Sequence, residues 1–357
     1  MKLAVTHPYS WPEVRRGAER IIVETARCMA ARGHQVTILT AGDAAGTTVE
    51  DGVTTVKFRR IFKDAGRHER WFGTRIVPRL LLGRFDAVHS MMAYDALAVV
   101  RTRRIAGHRA VYEELGNPYK WFWDTIPDGK VRGRLVHEVD VYGCMSNYTL
   151  DVLKREWGRT GDLIPGGVRL SEFAPAASRE TRPTILFSGA LSEPRKGLGV
   201  LLDAADLLMD DRPDLQLWLS GPGDVEAMLS HATTRVREQV TLLPIGDPGG
   251  LSARYATAWV SALPSVGDSF GMVLIETLAS GTPIVVADDG APPQLVTPET
   301  GAISVPHDAK SLAGALEEGF RLAQDPATAE NCRNFARQFD WDESMGPLLE
   351  RLYAGTP

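Results

Sequence analysis

Short apolar runs alternate with longer stretches of helical periodicity along most of the chain, the pattern of parallel strands joined by helical crossovers. In the first half, residues 3–6, 35–40, 53–58, 87–90, 110–113 and 141–145 read as strands, with helices near 18–32, 94–106 and 148–157. The alternation stops at a loop-rich passage from Ile164-Pro165-Gly166-Gly167 through Ala174-Pro175 to Arg182-Pro183, where proline and glycine punctuate the chain. It then restarts, with strands at 184–188, 215–220, 240–243, 259–263 and 284–287. Helices are predicted at 199–209, 225–237, 251–257 and 270–280, with a long helical tail from Ala309. The fold class is therefore α/β.

At 357 residues the chain exceeds one ordinary core, so two cores are expected. We place an N-terminal domain at 1–168, a second domain at 169–338 and a terminal helical segment at 339–357. Ligands of open α/β sheets bind outside the carboxyl ends of the strands.

Composition narrows the class further. Hydrophobic residues at 44% and charged residues at 24% are those of an ordinary globular protein. Cys28, Cys144 and Cys332 show neither paired nor metal-binding spacing, which fits a reducing cytoplasm and no resident metal. The start of the chain lacks the apolar stretch of a leader, and no run is long enough to span a bilayer. The net charge of −5 conceals an asymmetry: residues 57–109 hold thirteen Lys or Arg against four Asp or Glu. That region is either a solvated basic surface or a face for an anionic membrane or anionic acceptor; no nucleic-acid partner is expected.

The densest candidate chemistry follows the run 259–263. Pro264-Ser265-Val266-Gly267-Asp268-Ser269 is a polar loop, and a helix is expected to open at Phe270-Gly271-Met272-Val273, capped by Ser269 or Asp268. Free N–H groups at such a start attract a diphosphate. Glu276 follows Asp268 by eight positions, about 9–12 Å along a helix, roughly the span of a diphosphate. Two carboxylates so spaced can accept hydroxyl donors from either side of it, although a helix cap and an ordinary helical Glu give the same pattern.

The stretch from Pro264 to Val285 resembles the donor segment of retaining glycosyltransferases of family 4, whose fold is GT-B: two Rossmann-like domains facing across a cleft, with a C-terminal helix crossing back. Phe339-Asp340-Trp341-Asp342 and residues 345–353 are similar to that helix. The resemblance implies that Asp268 contacts the donor sugar, that Ser269 and the backbone of Phe270, Gly271, Met272 and Val273 meet the phosphates, and that Glu276 binds the ribose. Gly189-Ala190 through Glu193-Pro194-Arg195-Lys196-Gly197 is similar to the family's phosphate loop. Lys196 matches its lysine. Ala190 stands where an arginine is usual, and Arg195 substitutes for it if its side chain turns inward. Gly221 lies in the family's next glycine turn.

In the first half, Arg16-Gly17-Ala18-Glu19 resembles the family's Gly-Gly-Ala-Glu loop, with Gly17 near the donor and Arg16 near the acceptor. The histidine usual after the strand at 110–113 is absent, and Glu113 or Glu114 takes its place, either as an acceptor-binding or basic carboxylate or as a loop cap. Tyr119, Trp121 and Trp123 form an aromatic-rich segment suited to stacking on an acceptor or to core packing.

The resemblance implies a hexosyl transfer from a nucleoside diphosphate sugar, a UDP-sugar first, to a hydroxyl of a glycan, lipid-linked or small-molecule acceptor. Retention at the anomeric carbon is expected, with Lys196, Asp268 and Glu114 as catalytic candidates and no cofactor. A GT-B epimerase or phosphorylase and a non-catalytic sugar-nucleotide binder remain as alternatives.

Overall fold

The computed structural model describes residues 1–14, 17–244 and 248–355. Its contacts divide the chain into two compact units, Met1–Gly167 with Trp341–Pro357, and Val168–Asp340.

The first unit is built on eight strands, β1 (Lys2–His7), β2 (Gln35–Gly42), β3 (Gly46–Glu50), β4 (Val53–Arg59), β5 (Ala87–Ser90), β6 (Arg109–Glu114), β7 (Val141–Cys144) and β8 (Asp162–Leu163). They lie in the order β3-β4-β2-β1-β5-β6-β7-β8, with every neighbouring pair parallel except β3 and β4. The strand order reverses between β1 and β5, which opens a switch point at their carboxyl ends. Val88, Val111 and Val141 are fully buried, as strands covered on both faces require.

Helix Gly17–Ala31 follows β1, and helix Ala65–Leu82 joins β4 to β5, started by Asp64 accepting from Arg67 N at 2.8 Å. The terminal helix Gly346–Ala354 belongs to this unit. The Tyr353 hydroxyl and Nδ1 of buried His89 share a hydrogen bond of 2.8 Å, and Glu350 pairs with Arg32 at 2.7 Å. His89 Nε2 lies 3.1 Å from Glu113, so a buried polar cluster joins β5, β6 and the terminal helix.

The second unit holds six parallel strands, β9 (Thr184–Ser188), β10 (Gln216–Ser220), β11 (Val240–Leu242), β12 (Val260–Leu263), β13 (Ile284–Ala287) and β14 (Gly301–Ser304). Their order, β11-β10-β9-β12-β13-β14, reverses between β9 and β12. The loops leaving those two strands therefore flank this unit's switch point. The unit's two ends are tied by Val168 N donating to Phe339 O at 2.8 Å.

The α/β class is borne out, with local corrections. The helix expected over 225–237 is two short ones, Val225–Leu229 and Thr234–Glu238. Between them Ser230 turns its hydroxyl back to Ala227 O at 2.7 Å, and Thr233 is extended, so local side-chain bonding and β-branching break the run. The helix expected from Phe270 begins at Met272.

Candidate donor site

Four loops at the carboxyl ends of β9, β10, β12 and β13 are laced together by short hydrogen bonds. Gly189 N donates to Ser220 O at 2.9 Å and Leu191 N to Pro222 O at 2.7 Å. Val266 N donates to Arg195 O at 2.8 Å, Ala291 N to Asp268 O at 2.9 Å, and Gly267 N to Asp289 Oδ1 at 2.6 Å. Gly221 has φ 144°, and a Cβ there would stand 1.7 Å from Gly189 O, so this crossing of two loops admits only glycine.

The β12 loop delivers Asp268 beneath the β9 loop. Asp268 is 6% exposed, and both of its carboxylate oxygens accept from Lys196 Nζ, at 2.9 and 3.0 Å. Arg195 Nη1 also bonds to it, and Arg195 Nε bonds to Glu193. Burial pushes the Asp268 carboxyl up, but the Lys196 and Arg195 charges outweigh that and hold it below the ordinary aspartate value. Burial likewise opposes the Arg195 charge, and the neighbouring Asp268 more than restores it. Arg195 is thus turned inward, as its substitution for the missing cation at Ala190 requires.

After Asp268 the chain turns through Ser269 and Phe270 into helix Met272–Ala279. The expected capping by Ser269 or Asp268 is corrected. The residue at the cap is Gly271, with φ 113° and no side-chain cap bond, because the Asp268 carboxylate is drawn to Lys196. Gly271 brings no side chain of its own to the first turn, and Leu274 N donates to Gly271 O at 2.9 Å. Phe270 points into the core, packing edge-on against Phe339 at 5.5 Å, while Met272 and Val273 are half-buried. Glu276 is buried on the same helix.

Gly17 opens its helix and is exposed; Arg16 lies outside the described residues. Glu114 is buried at the end of β6. Arg132 Nη1 donates to its two oxygens at 2.9 and 2.7 Å, Tyr112 donates its hydroxyl at 2.8 Å, and Gly116 N donates at 3.1 Å, so this carboxylate holds its own loop. Trp123 leaves the acceptor set: it is 3% exposed, packs on Trp157 at 5.0 Å and belongs to the core with Leu135 and Val136. Trp121 is 66% exposed and stacks at 5.8 Å on half-buried Tyr119, whose hydroxyl bonds to that of Tyr148, so the Trp121 ring is the one at the surface.

Sequence reasoning missed Glu193, the second anion on Arg195, and Arg132, which neutralises Glu114. It also missed Asp95, a fully buried carboxyl that accepts from Thr6 at 2.7 Å and that burial pushes up to about 7. No group of three or more metal-ligating side chains occurs among the described residues, and no helix among them is long and apolar enough to cross a membrane.

Two Rossmann-like units, each a largely parallel sheet with its own switch point, give the chain the GT-B fold. The family model described as Glycosyltransferase Family 4 matches residues 15–172, and that described as Glycosyl transferases group 1 matches residues 168–339. The chain belongs to glycosyltransferase family 4. It is 29% identical to a phosphatidyl-myo-inositol mannosyltransferase of Mycobacterium leprae, over 99% of this chain and 96% of that one. It is 28% identical to a GDP-mannose-dependent monoacylated alpha-(1-6)-phosphatidylinositol monomannoside mannosyltransferase of Corynebacterium glutamicum, over 66% of this chain and 68% of that one. Among solved structures, sucrose-phosphate synthase from Thermosynechococcus elongatus superimposes with a TM-score of 0.83 at 20% identity, covering 99% of this chain and 98% of that one.

Proposed function

We infer that the protein moves a hexosyl group from a nucleoside diphosphate sugar to a hydroxyl acceptor with retention at the anomeric carbon. The observation that carries this reading is the convergence of Lys196 and Arg195 on Asp268 beside the uncapped start of helix Met272–Ala279. As the anomeric bond to the diphosphate breaks, charge grows on the leaving phosphate. Lys196, Arg195 and the backbone N–H groups at Gly271, Met272 and Val273 stabilise it there. Asp268 meets the donor sugar and Glu276 the ribose. The acceptor oxygen bonds to the anomeric carbon from the face the diphosphate leaves, and its proton passes to the departing phosphate oxygen.

Glu114 is read as a positioning residue, because Arg132 neutralises it and Gly116 N occupies one of its oxygens. Tyr119 and Trp121 offer an aromatic face to the acceptor. The reaction needs no metal in this reading, since two side-chain cations supply the charge; undiminished turnover in EDTA is the expected result.

Among donors, the names of both mannosyltransferase relatives favour mannose, and that of the Corynebacterium glutamicum relative favours GDP-mannose over the UDP-sugar expected from the sequence. Those names also favour an inositol lipid as acceptor. A cytoplasmic protein reaching such a lipid needs a contact with an anionic membrane. Arg59, Lys63, Arg67, Arg70, Arg75 and Arg79 are exposed within the basic region, next to exposed Ile61 and Phe62, and supply it.

Thermal shifts with UDP, GDP, ADP and dTDP, then turnover with their sugars and an NMR reading of the product anomer, test the reaction. A shift with at least one diphosphate is expected. No shift with any of them refutes the donor site, and an inverted anomer refutes retention. Sedimentation with phosphatidylglycerol vesicles, lost in neutral phosphatidylcholine vesicles, tests the membrane contact.

A further inference from the structure

Resting on the donor-site reading, we propose that Glu193 is an internal competitor for the donor diphosphate that sets nucleotide affinity through Arg195. Four charged side chains form one chain of contacts: Glu193 to Arg195, Arg195 to Asp268, and Asp268 to Lys196. Two cations face two carboxylates, so the cluster is formally neutral. Before a dianion binds, the charge of the two cations is balanced by the site's own acids, and a diphosphate gains it by displacing one of them.

The two carboxylates differ in what holds them. Asp268 is buried, takes both oxygens to Lys196 at 2.9 and 3.0 Å, and has its backbone carbonyl pinned by Ala291 N at 2.9 Å. It stays. Glu193 sits at the entry of the short turn Pro194–Lys196, with 39% of its side chain exposed and no cap bond made by that side chain. Its contact to Arg195 is a rim pair between residues two apart, weak and easily exchanged for water. Arg195 has 43% of its side chain exposed, so it can turn from Glu193 to a phosphate without breaking the core. The guanidinium then carries Asp268 on one edge and a phosphate oxygen on the other. Each time a diphosphate binds, Glu193 must let go; each time the product diphosphate leaves, Glu193 returns and helps to expel it.

Calorimetric titration of UDP and GDP into the wild type, Glu193→Gln, Arg195→Ala and the double variant reads this directly. Glu193→Gln is expected to tighten the bound diphosphate about two- to fivefold, the worth of a rim ion pair. The gain disappears in the Arg195→Ala background, is absent for the unphosphorylated nucleoside, and shrinks at high salt. Glu193→Asp, which keeps the charge, stays near the wild type. In turnover the donor KM and the product-inhibition constant fall together while kcat does not rise, a pattern that damage to the fold does not produce. Unchanged or weaker binding in Glu193→Gln, or equal tightening without Arg195, overturns the proposal. If the wild type binds a diphosphate, Lys196→Met loses it and Glu193→Gln gains nothing, then only this inference falls. If the wild type binds no diphosphate, the donor-site reading falls with it.

Discussion

Replacing Lys196 by methionine tests both the contact with Asp268 that the structure shows and the diphosphate role proposed for this side chain. With the ammonium gone, buried Asp268 loses both of its bonds to Lys196, 2.9 and 3.0 Å, and keeps Arg195 as a cation partner. Removing one member of a buried pair costs about 3–5 kcal/mol; with Arg195 still in place, about 1–3 kcal/mol of stability is the expected loss. The acid limb should move as well. Asp268 is depressed in the folded state, so its contribution is present above the unfolded value near 3.9 and is lost as pH falls through the folded value. In Lys196→Met the cause of the depression is largely gone and burial pushes the other way, so acid unfolding begins at a higher pH.

The same substitution removes a charged donor from the proposed diphosphate site. One hydrogen bond to a charged group is worth about 1.5–3 kcal/mol, so calorimetry should show nucleotide affinity falling about 10- to 150-fold. Losing a transition-state donor costs about 10²- to 10³-fold in kcat. Asp268→Asn provides the contrast. It frees Lys196 and Arg195 from a competing carboxylate, so diphosphate affinity holds or rises while turnover of the sugar donor drops. Lys196→Met binding within twofold of wild type, together with loss of diphosphate binding in Asp268→Asn, would refute the assignment of both residues.

Glu276→Ala should abolish the thermal shift with every nucleoside diphosphate; a retained shift would remove the ribose role from this buried carboxylate. Asp95, pushed up to about 7 by burial, gives stability that is complete below the unfolded value near 3.9 and is lost as pH rises through about 7. Wild-type stability should therefore fall by about 4 kcal/mol between pH 4 and pH 8 through this group, while Asp95→Asn flattens that limb; equal slopes in the two proteins would contradict the reading. Trp123→Ala should cost about 3–5 kcal/mol in urea unfolding of the first unit, whereas Trp121→Ala should leave unfolding unchanged and raise the acceptor KM. A large stability loss in Trp121→Ala would show that its ring is not the surface feature described.

What the sequence revealed follows from which signals are local. Buried parallel strands such as β5, β9 and β13 announce themselves as apolar runs between turn residues, and their limits agree with the structure. Strand β3 has every residue exposed and so carries no apolar alternation; Asp51-Gly52, with φ 50° and 75°, was the hairpin signal that could have found it. Helix Ala65–Leu82 was hidden by Gly66, Gly73, Pro78 and its many arginines, although Phe72, Ile76 and Leu80 repeat at four-residue spacing on its buried side. The loop from Gly189 to Gly197 and the Asp268 segment were legible as motifs of the family, and the structure brings them together through Lys196 and Arg195. Trp123 could not be told from Trp121, because which ring faces the core depends on the later packing of Trp157 and Leu135.

The partner of a side chain is the hardest thing to read from spacing, and at this site it changes the chemistry most. Ala190 at the exit of β9 suggested a phosphate site lacking one cation, but the turn Pro194–Lys196 returns a guanidinium to Asp268 from further along the same loop. A cation at the strand end would be fixed by the sheet. Arg195 instead projects from a three-residue turn, half-exposed, with Glu193 within reach of the same group. Moving the charge along the loop thus exchanges a rigid contact for an adjustable one. The loop keeps two cations, and on the reading proposed above the second divides its charge between Glu193, Asp268 and an incoming diphosphate.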